Sequence, residues 1–353
     1  MSKPSVKVES VADLCKRQIV EPNYVVPGLI AAGMNLLCSP PKYGKSWMVL
    51  DLAYSVATGS RFLDMPTRQT GVLYLALEDS DARMQSRMKQ VAAGRTIPAN
   101  FFFTLAAPTL DDGLVDWLGK TLDAAPCKIG LIIVDTLQKV RGIARRTEGV
   151  YGYDYRELGE LKRFLDERGL CGVFVHHLNK NSSADSMDRV NGTAGVAGAV
   201  DTIITLTRRK HSDSETRMSV TGRDVPERTI IIQMDWSTFH WSVLGSEKDV
   251  ELMHNLQNFR DDPIIKTIVS KLDEQETLLL KAGQINITPS WTCTSVQILE
   301  EASRRYGKQS QSPTTVGKKV RAYQPLLMSE EGIAYEYKRT SETREHVFTR
   351  EIV

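Results

Sequence analysis

Residues 34–52 read MNLLCSPPKYGKSWMVLDL, and the order of residue types leaves few folds open. Met34 to Cys38 is an apolar run long enough for one buried strand. Ser39-Pro40-Pro41-Lys42-Tyr43-Gly44 is rich in turn formers. Lys45-Ser46 then opens a helical pattern, with Trp47, Met48, Leu50, Leu52 and Ala53 supplying apolar faces. A strand, a loop ending in Gly-Lys-Ser and a helix make a phosphate cradle. Backbone N–H groups of the loop and the first helical turn point at the anion, and the helix dipole favours negative charge there. Ser39, Lys42, Tyr43, Gly44, Lys45, Ser46 and Trp47 are the candidate phosphate-binding residues. Lys45 would reach the β- and γ-phosphates of a nucleotide, and the Ser46 hydroxyl would hold Mg²⁺. The usual pattern is G-x-x-x-x-G-K-[ST]; Ser39 stands where its first Gly is expected, and Ser is small enough to start the turn. The plainer alternative is a strand–turn–helix that happens to contain Gly-Lys-Ser.

Downstream segments narrow the choice. Gly71 to Leu77 reads as a second buried strand ending in Glu78-Asp79, followed by a polar helix from Asp81 to Ala93. Phe101 to Leu105 is a short strand and Leu114 to Leu122 a helix. Lys128 to Leu137 is a β-branched strand that places Asp135 near its tip, where a carboxylate holds Mg²⁺ directly or through water. A strand that merely ends in Asp at a turn is the alternative. Cys171 to His177 is another buried strand, preceded by a helix over 157–169 and ending in His176 and His177. Ala199 to Leu206 is a strand, and Thr216–Gly222 with Thr229–Met234 forms a hairpin around Arg223. Between these lie two long polar stretches, 138–155 and 178–198, and loops of that length are usually functional. Alternating strands and helices followed by a hairpin predict an α/β fold, a mostly parallel sheet flanked by helices with an antiparallel edge. Ligands sit at the carboxyl ends of such strands, where Ser39–Ser46, Glu78, Asp135, His176 and His177 all fall.

The 353 residues suggest more than one domain. The expected division is a lead-in over 1–30, a catalytic core over 31–245, a linker over 246–262, and a smaller unit over 263–353. In the last, helices followed by a two-stranded hairpin suggest a winged helix, with 313–321 as its recognition-type helix. From Arg304 to Arg350 there are ten Lys/Arg against five Asp/Glu, a local excess of five in a chain whose net charge is only +2. Any nucleic-acid surface must therefore be local. A solvated face of an oligomerisation domain is the alternative. Five scattered cysteines without C-x-x-C pairing argue for a reducing compartment and against a disulfide framework or a zinc site. The N-terminus lacks the apolar core of a signal peptide, and no window approaches the ~18 apolar residues of a membrane span. The expected location is cytoplasmic.

With SPPKYGKSW at 39–47, VLYLALEDS at 72–80, LIIVDTL at 131–137, VFVHHLNK at 173–180 and VTGRD at 220–224, the first 245 residues resemble the RecA-type core of ring-forming replicative helicases. The likeness is to the RepA-like group of AAA-type ATPases on plasmids and other mobile elements. It implies a P-loop ATPase that binds ATP and Mg²⁺, assembles as a homohexamer and translocates on single-stranded DNA, with primase or an initiator protein as a partner. It implies that Glu78 polarises the attacking water, although an acid serving the dipole of the following helix is the alternative. It implies that His177, or His176, senses the γ-phosphate. Arg145, Arg146, Lys180 and Arg189 fall in the stretches matching the family's DNA loops. Arg223 matches the position that reaches a neighbouring subunit's site, with Arg208 and Arg209 as runners-up. Two other readings remain open: a loader or DNA-binding regulator that does not unwind, and a RecA-type recombination mediator.

Overall fold

The computed structural model describes residues 8–18, 23–142, 150–178, 194–208, 214–284, 286–339 and 343–350. The chain divides into two compact units, Met1–Glu247 and Lys248–Val353.

The first unit is built on a nine-stranded sheet. In chain order its strands are β3 (Gly33–Ser39), β4 (Gly71–Ala76), β5 (Phe101–Thr104), β6 (Ile129–Asp135), β7 (Cys171–His177), β8 (Thr202–Thr207), β9 (Glu215–Gly222), β10 (Arg228–Met234) and β11 (Trp241–Gly245). They lie in the order β11-β10-β9-β8-β3-β7-β6-β4-β5. From β8 to β5 every pairing is parallel, and β9, β10 and β11 extend that sheet antiparallel. The mostly parallel sheet with an antiparallel edge is the expected architecture. A preceding hairpin, β1 (Tyr24–Val26) and β2 (Ile30–Ala31), buries Val25, Val26, Leu29 and Ile30 in the same core. The last residues of the anticipated lead-in are thus integral to the unit, because their apolar run has nowhere else to be covered.

Strand side chains alternate between two cores, as a period of two requires. Leu37, Val72, Tyr74 and Ile133 face one side, with α2 (Lys45–Thr58) and α3 (Asp81–Ala92). Leu36, Leu75, Ile132 and Val134 face the other. There they meet α4 (Leu114–Asp123), α5 (Leu137–Val140), α6 (Val150–Arg168) and α7 (Ala194–Ala199). Each large aliphatic side chain buried this way contributes about 1.5–3 kcal/mol. Helix α2 carries neither Gly nor Pro and stops at Gly59, whose φ of 72° suits a left-handed C-cap. A short α1 (Val11–Leu14), capped by Ser10, lies ahead of the hairpin in sequence.

Other departures follow from packing. Helix α6 begins at Val150 rather than near 157, and α5 occupies Leu137–Val140, so helix replaces most of the described part of the expected loop. Helix α7 likewise sits inside the second expected loop, where Val196 fills the core beside Leu158 and Leu161. Strand β11 was not anticipated; its antiparallel pairing with β10, from Met234 with Trp241 to Ile231 with Gly245, defines it.

One ionic contact secures the amino end of β3. The Asp201 carboxylate accepts the Met34 N–H at 3.0 Å and lies 2.6 Å from the Lys162 ammonium. Gly33, at φ 97°, is required beside it, since any Cβ would collide with that carboxylate.

The second unit contains α8 (Glu247–Asp261), α9 (Pro263–Lys281), β12 (Ser290–Cys293), α10 (Ser295–Tyr306), α11 (Pro313–Ala322), α12 (Gln324–Glu331), β13 (Ile333–Arg339) and β14 (Arg344–Arg350). Its core joins Phe259, Ile264, Ile268, Ile298, Val316, Leu327 and Phe348. Its three strands are antiparallel, with β14 between β12 and β13. Ser312 and Thr294 cap α11 and α10, the latter in a capping box with Gln297. The expected recognition-type helix is α11, which stops at Ala322, and Pro325 lies in the first turn of α12.

Asp201→Ala is expected to lower stability by about 2 kcal/mol, because it leaves the Met34 N–H unsatisfied and leaves Lys162 only the more exposed Asp166. A chemical-denaturation midpoint equal to that of the unsubstituted protein would show that this contact does not hold β3.

Candidate active site

The site follows from strand order. Ser39, the last residue of β3, is in register with His177, the last of β7. Strand β6 lies next and ends at Asp135; β4 follows, and its Ala76 is in register with Asp135. Four adjacent strands therefore present their carboxyl ends side by side, and the loops after them carry the polar groups.

After Ser39 the loop turns tightly. Lys42 has φ 67° and Gly44 φ 85°, so successive N–H groups curl into a concave nest. Gly44 cannot be replaced without strain: a Cβ there would lie 2.9 Å from the Trp241 ring. Lys45 opens α2 and is only 5% exposed. Its ammonium donates to the Ser39 carbonyl at 2.8 Å, the Ser39 hydroxyl at 3.0 Å and the Pro40 carbonyl at 3.1 Å. It also lies 3.2 Å from His177 Nδ1. Burial pulls the Lys45 pKa down to about 8 against the opposing charges of Asp135, Cys38 and Glu78. The ammonium is therefore held poised between its charged and neutral forms near neutral pH.

Asp135 is buried, and burial raises its pKa; hydrogen bonds from Ser46 and Tyr74 and the charge of Lys45 act the other way, while Glu78 adds to the rise. The Tyr74 hydroxyl donates to Asp135 Oδ2 at 3.0 Å. The Ser46 hydroxyl and the Asp135 carboxylate, brought together this way, are oxygen donors that would suit Mg²⁺ arriving on nucleotide phosphates.

Glu78 is exposed just past β4. Its charge acts on Lys45, Asp135 and His177 alike. His177 has its pKa lowered, first by burial and then by the Lys45 charge. Asp79 turns away from the cluster. Its carboxylate meets Arg87 at 2.8 Å and Arg83 at 3.2 Å, and Arg83 also donates to the Glu78 carbonyl at 3.0 Å. Helix α3, capped by Ser80, thus clamps the backbone that presents Glu78.

Trp47 stacks on Phe239 with ring centroids 3.9 Å apart, and the Arg87 guanidinium lies 5.3 Å from its ring. Tyr43 lies under the Arg208 guanidinium at 5.0 Å, so Arg208 belongs to the chain's own loop region. Arg223 does not join the cluster. It sits 3.6 Å from Asp201, by the amino ends of the parallel strands and away from the phosphate loop. Arg145, Arg146, Lys180, Arg189 and Arg209 lie outside the described residues.

Several participants have no signal in the sequence motifs. Tyr74 reaches Asp135 because Tyr74 pairs with Ile133, making Asp135 its diagonal neighbour. Trp241 and Phe239 reach the loop only through the β10–β11 turn. Asp51 of α2 accepts from the Trp241 N–H at 3.1 Å and lies 2.5 Å from His240 Nδ1, fixing that turn to the helix.

Nucleotide affinity is expected to fall as pH rises above about 8, by up to about tenfold per pH unit. Phosphate favours the ammonium, so binding above that pH must take up a proton. The folding cost of burying charged Lys45 runs oppositely: complete below about 8, it fades as pH climbs toward 10.5. Calorimetric titrations in buffers of different ionisation enthalpy measure the proton uptake. An affinity flat from about pH 7 to pH 10 would remove Lys45 from phosphate contact.

Comparison with known proteins identifies the family. A family model described as an AAA domain matches residues 2–183. A solved structure described as the ATPase domain of G40P is similar at TM-score 0.47 and 14% identity, over 60% of this chain and 85% of that one. Another, described as a DnaB-like replicative helicase and its interactions with primase, is similar at TM-score 0.49 and 13% identity, over 67% of each chain. The family match spans more than half of the sequence and contains the loop, Glu78, Asp135 and His177; the chain belongs to the AAA_25 family of AAA domains, and so to the nucleotide-binding ATPases.

Proposed function

We propose that the chain is an ATP-dependent DNA helicase that assembles as a homohexameric ring and translocates on single-stranded DNA in replicating a plasmid, prophage or other mobile element. The observation that carries this reading is the convergence of Lys45, Ser46, Glu78, Asp135 and His177 at the ends of four neighbouring strands. Ser39, Lys42, Tyr43, Gly44 and Trp47 shape the loop; Lys45 exchanges its loop carbonyls for phosphate oxygens. Ser46 and Asp135 hold Mg²⁺, which would neutralise charge on the β- and γ-phosphates. Glu78, exposed and presented by α3, takes the proton of the attacking water. His177, 3.2 Å from Lys45, registers the phosphate and adjoins the segment carrying Lys180 and Arg189. That segment and the one carrying Arg145 and Arg146 supply the DNA contacts.

Arg223 supports a shared site. Exposed, and remote from its own phosphate loop, it has no cis role there, while Arg208 is engaged with Tyr43. We assign Arg223 to the neighbouring subunit's nucleotide. The second unit is read as a winged-helix-like module for DNA or for a partner such as primase or an initiator. Its helix–strand–helix–helix–helix order from α9 onward, ending in a hairpin with β14 central, supports this. Among the described residues no helix is long and apolar enough to cross a membrane, and the proposed site of action is the cytoplasm.

ATP-driven unwinding of a forked substrate tests the reading directly. A loader would hydrolyse ATP and leave the fork intact; a recombination mediator would form filaments rather than closed rings in particle images. Glu78→Gln should keep nucleotide binding and lose about 10²–10⁴-fold in turnover, and retained turnover would end its assignment as base. Arg223→Ala should bind nucleotide but not turn it over. Mixed with Lys45→Ala protein it should regain activity, since intact sites then form between unlike subunits; mixtures that stay inactive would place Arg223 outside the site.

A further inference from the structure

The cations of the second unit fall into two groups with different surroundings. On the side formed by α9, α10 and the end of β14, nearly every cation is answered. Lys271 lies 3.2 Å from Glu274 and 3.0 Å from Glu301. Arg305 meets both acids at 2.6 Å, Arg304 meets Glu301 at 2.6 Å, and Arg350 meets Asp273 at 2.5 Å and Glu276 at 3.2 Å. That surface is locally neutral.

The side formed by α11 and the β13–β14 hairpin is different. Thr314, Thr315, Lys318 and Arg321 follow one another at helical spacing, all exposed, on one face of α11. Lys319 points elsewhere and pairs with Asp262. Arg321 lies over the Tyr337 ring at 4.8 Å, which joins the helix face to the hairpin. Two residues further along β13 comes Arg339, in register with Arg344 on β14. Among the described residues, Lys318, Arg321, Arg339 and Arg344 have no carboxylate within ion-pair distance. Lys338 has only Glu336, at 3.4 Å with both side chains exposed. Glu345 lies opposite Lys338 in the hairpin, and Glu342 lies outside the described residues.

We propose that this face of α11 and the β13–β14 hairpin binds double-helical DNA, with Lys318, Arg321, Lys338, Arg339 and Arg344 on the phosphates. Unanswered cations along an exposed helix and an adjoining hairpin match a polyanion whose charges recur along both strands. An α-helix fits the major groove while flanking cations take the backbone. The duplex is favoured over a single strand by how the aromatic rings of this face, among the described residues, are already engaged. Single strands are gripped by exposed aromatic rings; here Arg321 covers Tyr337, and Tyr323 packs edge-on against Phe259. The proposal rests on the winged-helix-like reading of this unit and narrows its partner to duplex DNA.

The test uses the full chain without nucleotide, titrated against a labelled duplex and against one of its strands alone. The variants are the triple Lys318→Ala, Arg339→Ala, Arg344→Ala, and Arg304→Ala as a single-charge control on the paired side. The triple variant should lose about tenfold or more in duplex affinity, and its salt dependence should be shallower by about two to three in log–log slope. Arg304→Ala should change duplex affinity by less than about twofold, as should the triple variant for the single strand. Should the triple variant fold poorly, Lys318→Glu alone carries the same comparison. Absence of salt-sensitive duplex binding, an unchanged affinity in the variants, or equal losses for duplex and single strand would each overturn the proposal. Lys45→Ala separates it from the motor: duplex binding should survive where ATP turnover does not. Failure of fork unwinding with intact duplex binding would count against the motor alone.

Discussion

A lysine ammonium sealed under its own loop is the constraint on which the first unit turns. Taking such a charge out of water costs several kcal/mol unless oxygen acceptors meet it. Lys45 meets three, all from Ser39 and Pro40, and feels the negative charges of Asp135 and Glu78. Its partners are thus the walls of the cavity that an anion would enter. A phosphate arriving there replaces one set of acceptors with another, so the amine is paired before and after. That exchange requires a loop that can release the lysine, and the left-handed residues Lys42 and Gly44 set that loop's tight turn.

The sheet gives β3 opposite duties at its two ends. At the carboxyl end it delivers the phosphate loop; at the amino end its Met34 N–H is bound by Asp201. The same carboxylate takes Lys162 and stands beside Arg223. On the reading of Arg223 as the group that reaches a neighbouring nucleotide, one strand links a subunit's own phosphate loop to the arginine it lends. A rigid, fully buried strand is a suitable mechanical element for such a link, because close-packed interiors shift as units rather than deform. Arg83 and Arg87 play a comparable part around Glu78: they bind Asp79 and the adjoining backbone, so the exposed acid stands on a fixed base.

Electrostatics separates the two sides of the second unit more sharply than composition does. Its cations are partitioned by where acids happen to stand along helices: Glu274 and Glu301 each answer two or more of them, while the exposed side of α11 carries none. A surface ion pair contributes little to stability, so the pairing on one side matters mainly by cancelling field there, leaving the field of the other side unopposed.

Residues 34–52 alone determined a strand–loop–helix that cradles phosphate, and the β-branched runs ending in Glu78, Asp135 and His177 determined a mostly parallel sheet. These are local signals, periodicity and turn chemistry read within a dozen residues. Membership in one cluster was legible only as far as strand tips tend to gather ligands. Tertiary structure alone decided that Tyr74 supports Asp135, because that contact depends on the register of two strands whose partners are 61 residues apart. It decided that Trp241 closes over Gly44, that Asp201 binds Lys162 and Arg223, and that β11 and β12 exist, since WSVLG and SWTC lack the unbroken aromatic run that marks β5. The start of α6 at Val150 was hidden for a related reason: glycine and tyrosine around it weaken intrinsic helix preference, and packing on the sheet overrides it. Which cations are paired was likewise invisible, for ion pairing depends on elements folded together across the chain, whereas charge counting sees only their sum.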